Sequence, residues 1–153
     1  MEFTLKHMEK MRQVMKLKGQ SPELYTLVAP LAMSVSALRQ NNNYPYKTSC
    51  RHCWYILLEH KQLRAFIPLE KKDSASFKID NYYAPSGTER GELLRELLER
   101  ILPEYDSQGR VYAIVQKRDQ EIFEKAGFSV IRQMKIYVKM ELMQTGGSDN
   151  GAD

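Results

Sequence analysis

Apolar residues recur along the 153-residue chain with two different periods, and each change of period marks an element. EFTLKH, at 2–7, alternates weakly and reads as a short strand. Met8, Met11 and Met15 then fall at helical spacing with Lys10, Arg12, Lys16 and Lys18 between them, which predicts a short basic amphipathic helix broken by Gly19. Ser21 as N-cap and Pro22 at the first helical position start a second helix, whose stripe is Leu24, Val28, Leu31, Val35 and Leu38. Pro30 should kink or divide it, and NNNYP at 41–45 ends it. From residue 52 the runs CWYILLEH, LRAFIPLEK and SFKIDNYYA, rich in branched and aromatic residues, predict an antiparallel meander. Leu93, Leu94, Leu97, Leu98, Ile101 and Leu102 make one wide apolar helix face that Pro103 terminates. VYAIV predicts a buried strand, RDQEIFEKAGF a short helix closed by Gly127, and FSVIRQMKIYVKMEL one bent strand or a tight hairpin. The polar, glycine-rich QTGGSDNGAD predicts a disordered tail over 144–153, after a single domain over 1–143.

Composition narrows the function classes. Hydrophobic residues make up 42% and charged residues 27%, and no apolar run approaches the length of a membrane span. The charged start MEFTLKHMEK carries no export signal, so the cytoplasm is the expected location. Net charge is +4 but uneven: residues 1–72 hold twelve Lys/Arg against five Asp/Glu, the remainder eleven against fourteen. A basic amino half can attract an anionic cofactor, an acidic substrate or nucleic acid. No aromatic stacking pattern accompanies Lys6, Lys10, Arg12, Lys16 and Lys18, so a nucleic-acid partner is not expected. Cys50-Arg51-His52-Cys53 has no second Cys/His pair at a useful spacing, and no metal is expected; the cysteines read as small residues entering a strand.

The stretch NYYAPSGTERGELLREL, 81–97, runs from a strand through a turn directly into a helix. Such a junction exposes unpartnered amides at a helix start, where the helix dipole favours an anion, and Gly87 and Gly91 permit close approach. Arg90 can add a charge-assisted contact. The same residues also fit a capping box, Ser86-Gly87-Thr88-Glu89, which would set Glu89 and Glu92 beside the anion; each like-charge contact costs about 4 kcal/mol at roughly 4 Å in an effective dielectric near 20. Both readings stand on the sequence.

WYILLEHKQLRAFIPLEK resembles the second-to-third-strand hairpin of the GNAT superfamily of N-acetyltransferases, and QEIFEKAGFSVIRQMKIYVKMEL resembles its carboxyl-terminal helix–Gly–Phe–strand signature; the similarity spans roughly residues 2–142. The resemblance implies an α+β fold, a twisted mixed but mainly antiparallel sheet flanked by helices, with strands at about 76–84 and 110–116 splaying apart. It implies acetyl-CoA as co-substrate in that gap, its pantetheine on the backbone of Asn81, Tyr83 and Ala84 and its pyrophosphate on Ser86, Gly87, Thr88, Arg90 and Gly91. Gln116 stands where an Asn commonly contacts the cofactor, and Phe123 stands in the cleft where the family's acidic Tyr belongs. The loop also departs from the family's Arg/Gln-x-x-Gly-x-Gly/Ala, with Ser86 at its first position and Glu89 at a glycine position. The acceptor, a small-molecule or peptide amine, would enter between the loop at 17–23 and the final hairpin. Asp80, or Glu70, is the candidate base; Tyr82 is the candidate acid, with Tyr83, Tyr112 and Tyr137 as alternatives. The implied activity is acyl transfer from acetyl-CoA to an amine, and the alternative is a binding or regulatory module that keeps the fold without efficient catalysis.

Overall fold

The computed structural model of the chain describes residues 11–143; the strand expected at 2–7 and the polar tail lie outside them. Among the described residues the elements are β1 (Arg12–Lys18), α1 (Pro22–Ala32), α2 (Val35–Gln40), β2 (His52–Glu59), β3 (Gln62–Asp73), β4 (Ser76–Ile79), α3 (Arg90–Tyr105), β5 (Arg110–Gln116), a 3-10 turn (Lys117–Asp119), α4 (Gln120–Lys125), β6 (Phe128–Gln133) and β7 (Tyr137–Leu142). The strands form one sheet in the order β1-β2-β3-β4-β5-β7-β6, antiparallel everywhere except between β4 and β5. This is the expected mixed, mainly antiparallel α+β architecture. The α3 crossover makes the parallel pair possible.

Side-chain parity divides the core into two layers. Tyr55, Leu57, Ile67, Leu69, Ile79, Val111, Ala113 and Val115 face α3 and α4 together with Leu93, Leu94, Leu97 and Phe123. Leu17, Trp54, Ile56 and Phe66 face α1 and α2 with Leu24, Val28 and Ala37. The helix expected around Met8–Lys18 is corrected: from Arg12 the chain is an edge strand paired with β2 along its whole length. Met15 and Leu17 pack beneath α1 and α2, while Arg12 and Lys16 point to the other face. There Arg12 binds Glu59, Glu92 and Glu96, and Lys16 binds Glu104. The basic character of the amino half is thereby partly neutralised by acids of β2 and α3.

Pro30 lies near the end of α1, which stops at Met33 before Ser34 caps α2, so the expected helix is divided. Pro103, by contrast, does not terminate α3. The helix continues to Tyr105 because the missing donor faces the exposed Glu99 turn and only the last turn remains to be formed. The carboxyl-terminal run resolves into a hairpin, β6 with β7.

The feature that positions the site is a bulge after β4. Leu69 pairs with Ile79, yet Phe66 pairs with Tyr83, so one extra residue is inserted on the β4 side. Asn81 takes it up in the left-handed region (φ 54°), and the Asp80 carboxylate accepts the Asn81 N–H at 2.8 Å. Phe66 exchanges both backbone bonds with Tyr83, so by alternation the backbone of Pro68 also faces the β4 side. Pro68 has no N–H to leave unpaired at the bulge. Parity is reversed beyond it: Tyr83 joins the α1/α2 layer, and Tyr82 and Ala84 the α3/α4 layer.

Candidate functional site

β4 and β5 are paired from Ser76↔Arg110 to Ile79↔Ala113 and separate beyond that point. The expected divergence is present, but its backbone is distributed differently. Tyr83 N–H and C=O both bond to Phe66 at 2.9 Å and turn away from the gap. The groups on the β5 side are those of Tyr82 and Ala84. Among the described residues the Tyr82 N–H and C=O and the Ala84 N–H make no hydrogen bond, whereas the Ala84 carbonyl accepts from Gln40 Nε2 at 2.7 Å and from Arg90 Nη1.

The inner end of the gap is held by a buried clasp. Arg90 Nε donates to Asp119 Oδ1 and Arg90 Nη2 to Asp119 Oδ2, both at 2.8 Å, with the side chains 6% and 1% exposed. The Tyr82 hydroxyl donates to Asp119 Oδ2 at 2.6 Å and accepts the Gln116 N–H at 2.8 Å. Arg90 Nη1 also donates to Gln40 Oε1 at 3.0 Å, so one guanidinium joins α3, α2, residue 84 and the turn after β5. The Tyr82 ring rests on Phe123, centroids 5.6 Å apart, and Phe123 on Phe128 at 5.4 Å. Burial, the Asp119 charge and the hydrogen bond to it raise the Tyr82 phenol well above its usual pKa. Burial opposes the charge of Arg90, but the Asp119 carboxylate outweighs it and the guanidinium pKa rises.

Two expectations are corrected here. Tyr82 does not present a proton to the gap, because its hydroxyl is engaged on both sides within the core. Arg90 is turned inward, since the Asp119 carboxylate is its bidentate partner; an anion at the helix tip would not meet it.

The tip of α3 has no side-chain cap, so the capping box is not formed. Glu89 instead pairs with Arg64 at 2.7 Å, and Glu92 with Arg12. Both carboxylates that would have opposed an anion are thus held on the β1/β3 side. Ser86, Gly87 and Thr88 are exposed. Gly87 has φ 127°, in the range that favours glycine, and nothing lies within 4 Å of where its Cβ would stand. A Cβ on Gly91 would meet Ile122 Cδ1 at 3.3 Å, so this glycine lets α3 and α4 approach. Alongside them a groove of about 720 Å³ runs from Gly91 past Arg95 and Leu98 to Lys125 and Ala126.

Two hollows on the opposite face of the sheet bear on the site. One, about 220 Å³, brings Asp80 together with Glu70, Lys78, His52, Lys47 and Asn81. Lys78 Nζ lies 3.3 Å from Asp80 Oδ2, and Ser49 Oγ lies 2.8 Å from His52 Nδ1. Burial first, and then the nearby Asp80 charge, raise the Tyr137 phenol, with Asn42 partly offsetting them. Tyr137 lies on this same face, because Val138 and Met140, of the opposite parity in β7, turn to α3 and α4; among the described residues the loop at 17–23 makes no hydrogen bond to the final hairpin. Gly19 is instead bonded to His52 and Thr48. The second hollow, about 660 Å³, is lined by Ser36, Arg39, Gln40, Tyr83, Pro85, Ser86 and Arg118. Arg118 crosses its mouth, donating to Gln116 Oε1 and Ser86 Oγ, both at 3.0 Å.

Sequence reasoning passed over Asp119, Gln40, Arg39 and Arg118. Asp119 precedes a helix and has the look of a cap, but makes no cap bond. Only its contrast with the strongly basic neighbours Lys117 and Arg118 hinted at another use. Gln116 contributes its backbone N–H to Tyr82, and its side chain to Arg118. Cys53 lies in β2 opposite Leu69, with the exposed Cys50 in the turn before it; among the described residues no group of three His, Cys, Asp or Glu is placed to hold a metal.

No family model matches the sequence, and no curated sequence is significantly similar to it. Solved structures do share its fold. Escherichia coli ElaA is 17% identical with a TM-score of 0.65, covering 87% of this chain and 100% of its own. An acyl-CoA N-acyltransferase from Pseudomonas aeruginosa is 16% identical at TM-score 0.67, covering 86% and 99%. The Campylobacter jejuni N-acetyltransferase PseH, solved in complex with acetyl coenzyme A, is 11% identical at TM-score 0.56, covering 88% and 99%. The chain has the fold of the GNAT N-acetyltransferases.

Proposed function

We propose, taking this shared fold as premise, that the protein is an acyl-CoA-dependent N-acyltransferase that moves an acetyl or related acyl group to a small-molecule or peptide amine. The observation that carries the reading is the gap between β4 and β5: it offers the free Tyr82 and Ala84 backbone groups beside a helix tip whose two carboxylates are drawn away by arginines. Acyl-CoA fits these residues. Tyr82 N–H and C=O and the Ala84 N–H can take the amides of its pantetheine as an added strand would. The exposed Ser86, Gly87 and Thr88 segment and the first amides of α3 suit its pyrophosphate. When bound, the thioester supplies an activated acyl group.

The chain's own contribution is positioning and proton handling. An alkyl ammonium, with an ordinary pKa near 10.4, must lose a proton before it can attack. Asp80 stands on the acceptor side of the gap as the group to receive that proton. Tyr137 lies on the same face, and its hydroxyl, protonated at neutral pH, is the candidate donor where negative charge develops. Phe123 serves the clasp by packing against Tyr82. A second reading, a binding module without efficient transfer, is favoured by that same Phe123 and by the engaged Tyr82 hydroxyl.

Calorimetric titration with acetyl-CoA, followed by mass spectrometry of an amine panel, tests both. Binding with acetylated product supports the transferase; binding without product supports the module. Absence of heat and of thermal stabilisation at millimolar acetyl-CoA would remove both.

A further inference from the structure

We propose that the cleft between Arg39 and Arg118 recognises an anionic group, carboxylate or phosphate, carried on the acyl acceptor; the assignment rests on the transferase reading. Arg39 lies in the last turn of α2, exposed, and among the described residues it has no acidic partner. Arg118 is likewise exposed without a carboxylate partner among the described residues, yet it is not loose: Gln116 Oε1 and Ser86 Oγ hold its Nε and Nη1 at 3.0 Å. The remaining lining side chains, Ser36, Gln40 and Ser86, are polar and neutral, and Tyr83 and Pro85 form a wall; none of the lining residues is acidic. A cleft of about 660 Å³ with two cations and no acid is a poor place for a polyamine and a good one for an oxyanion, because guanidinium forks pair with carboxylate and phosphate oxygens.

The position assigns the anion to the acceptor. Ser36, Arg39 and Gln40 belong to α2, and Tyr83 packs in the α1/α2 layer, so the cleft lies on the same side of the sheet as Asp80 and Tyr137. The groove beginning at Gly91 lies on the other side, between α3 and α4. An amine bearing a carboxylate or phosphate can thus set its anion against Arg39 and Arg118 on this face while the thioester approaches from the α3/α4 side. Elsewhere the arginines of the site are already matched: Arg90 by Asp119, Arg12 by Glu59, Glu92 and Glu96, and Arg64 by Glu59 and Glu89. Among the described arginines of the site, Arg39 and Arg118 are the pair without a carboxylate partner.

The test uses the full chain and three readings. Inorganic phosphate is titrated while backbone amide resonances are followed, in the unaltered protein and in Arg39→Met, Arg118→Met and Arg118→Lys. Shifts should centre on Ser86, Gln116 and Arg118, with apparent affinity falling about tenfold in each Met variant and partly recovering in Arg118→Lys. Acetyl-CoA affinity should stay within about twofold in Arg39→Met, whose side chain makes no hydrogen bond to the Ser86–Thr88 segment. Transfer is then compared between matched amines, glycine against glycinamide and O-phosphoethanolamine against ethanolamine. The anionic member of at least one pair should have the higher kcat/KM, and the Met variants should abolish that preference through KM. Variant-insensitive phosphate shifts, or equal use of anionic and neutral amines, would overturn the proposal. So would a parallel tenfold loss of acetyl-CoA affinity in Arg39→Met, which would assign the cleft to the cofactor's own phosphates. Failure of acetyl-CoA to bind the unaltered protein would overturn the transferase reading itself, and is separable because the phosphate titration needs no cofactor.

Discussion

Asp119→Ala isolates the energetics of the clasp. The substitution removes a carboxylate that accepts from Arg90 Nε and Nη2 at 2.8 Å and from the Tyr82 hydroxyl at 2.6 Å. The guanidinium left behind has a side chain only 6% exposed and retains neutral acceptors alone, Gln40 Oε1 and the Ala84 carbonyl. Breaking a buried pair from one side costs about 3–5 kcal/mol, because the surviving charge has neither water nor counter-ion. Set against a total stability of about 5–15 kcal/mol, that is a substantial fraction. For a chain of this length it corresponds to a fall of about 6–20 °C in Tm, at about 2–4 °C per kcal/mol. Urea unfolding followed by far-UV circular dichroism reads it as a lower midpoint with an unchanged slope. The companion Arg90→Met/Asp119→Leu removes both charges and should recover most of the loss, giving a coupling energy of at least about 2 kcal/mol in the double-mutant cycle. If Asp119→Ala lies within about 1 kcal/mol of the unaltered protein, or the double variant is as damaged as the sum of the singles, the charge argument is refuted.

Arg64→Ala and Arg12→Ala free Glu89 and Glu92 at the α3 tip, so acetyl-CoA affinity should fall about three- to tenfold in each, more steeply at low salt; calorimetry at two ionic strengths checks it. On the transferase reading, Asp80→Asn should lower kcat while leaving acetyl-CoA affinity unchanged, and equal pH–rate profiles for the variant and the unaltered protein would dismiss Asp80 as base. The β2–β3 turn places His60 and Lys61 at φ 53° and 67°, values that suit Asn and Gly; His60→Asn/Lys61→Gly should stabilise by about 1 kcal/mol in urea unfolding. Glu59 is held below its usual carboxyl pKa, first by its hydrogen bond to Arg12, and Glu141 likewise by Arg110. A depressed folded pKa contributes stability that is present above the unfolded value near 4.3 and lost as pH falls through the lower folded value. The contribution of these two carboxylates should therefore be flat above about pH 5 and decline below about pH 4, and Glu59→Gln should flatten part of that decline.

Much of the scaffold was legible because its signals are local. The aromatic meander, the leucine face of α3 and the final hairpin each carry their own periodicity. β1 was not legible: the Met11 and Met15 spacing suited a helix, and only the long pairing with β2, visible in three dimensions, overrides it. The divergence beside Tyr83 was anticipated, but which backbone groups remain free depends on one inserted residue at Asn81, which no pattern announced. Arginine is ordinarily exposed, so the inward turn of Arg90 could not be read before Asp119 was seen to meet it. The fate of Glu89 and Glu92 was equally hidden, since it is decided by Arg64 and Arg12 on strands distant in sequence.

The residue inserted at Asn81 makes chain length, more than composition, the sensitive variable in this segment. Removing Asn81 alone would exchange the addresses of the two tyrosines that follow, sending one ring out of its aromatic stack with Phe66 and the other hydroxyl away from Asp119. Divergence among related chains should accordingly admit very few gains or losses of a single codon between residues 79 and 85, where Ile79, Tyr82, Tyr83 and Ala84 are all buried.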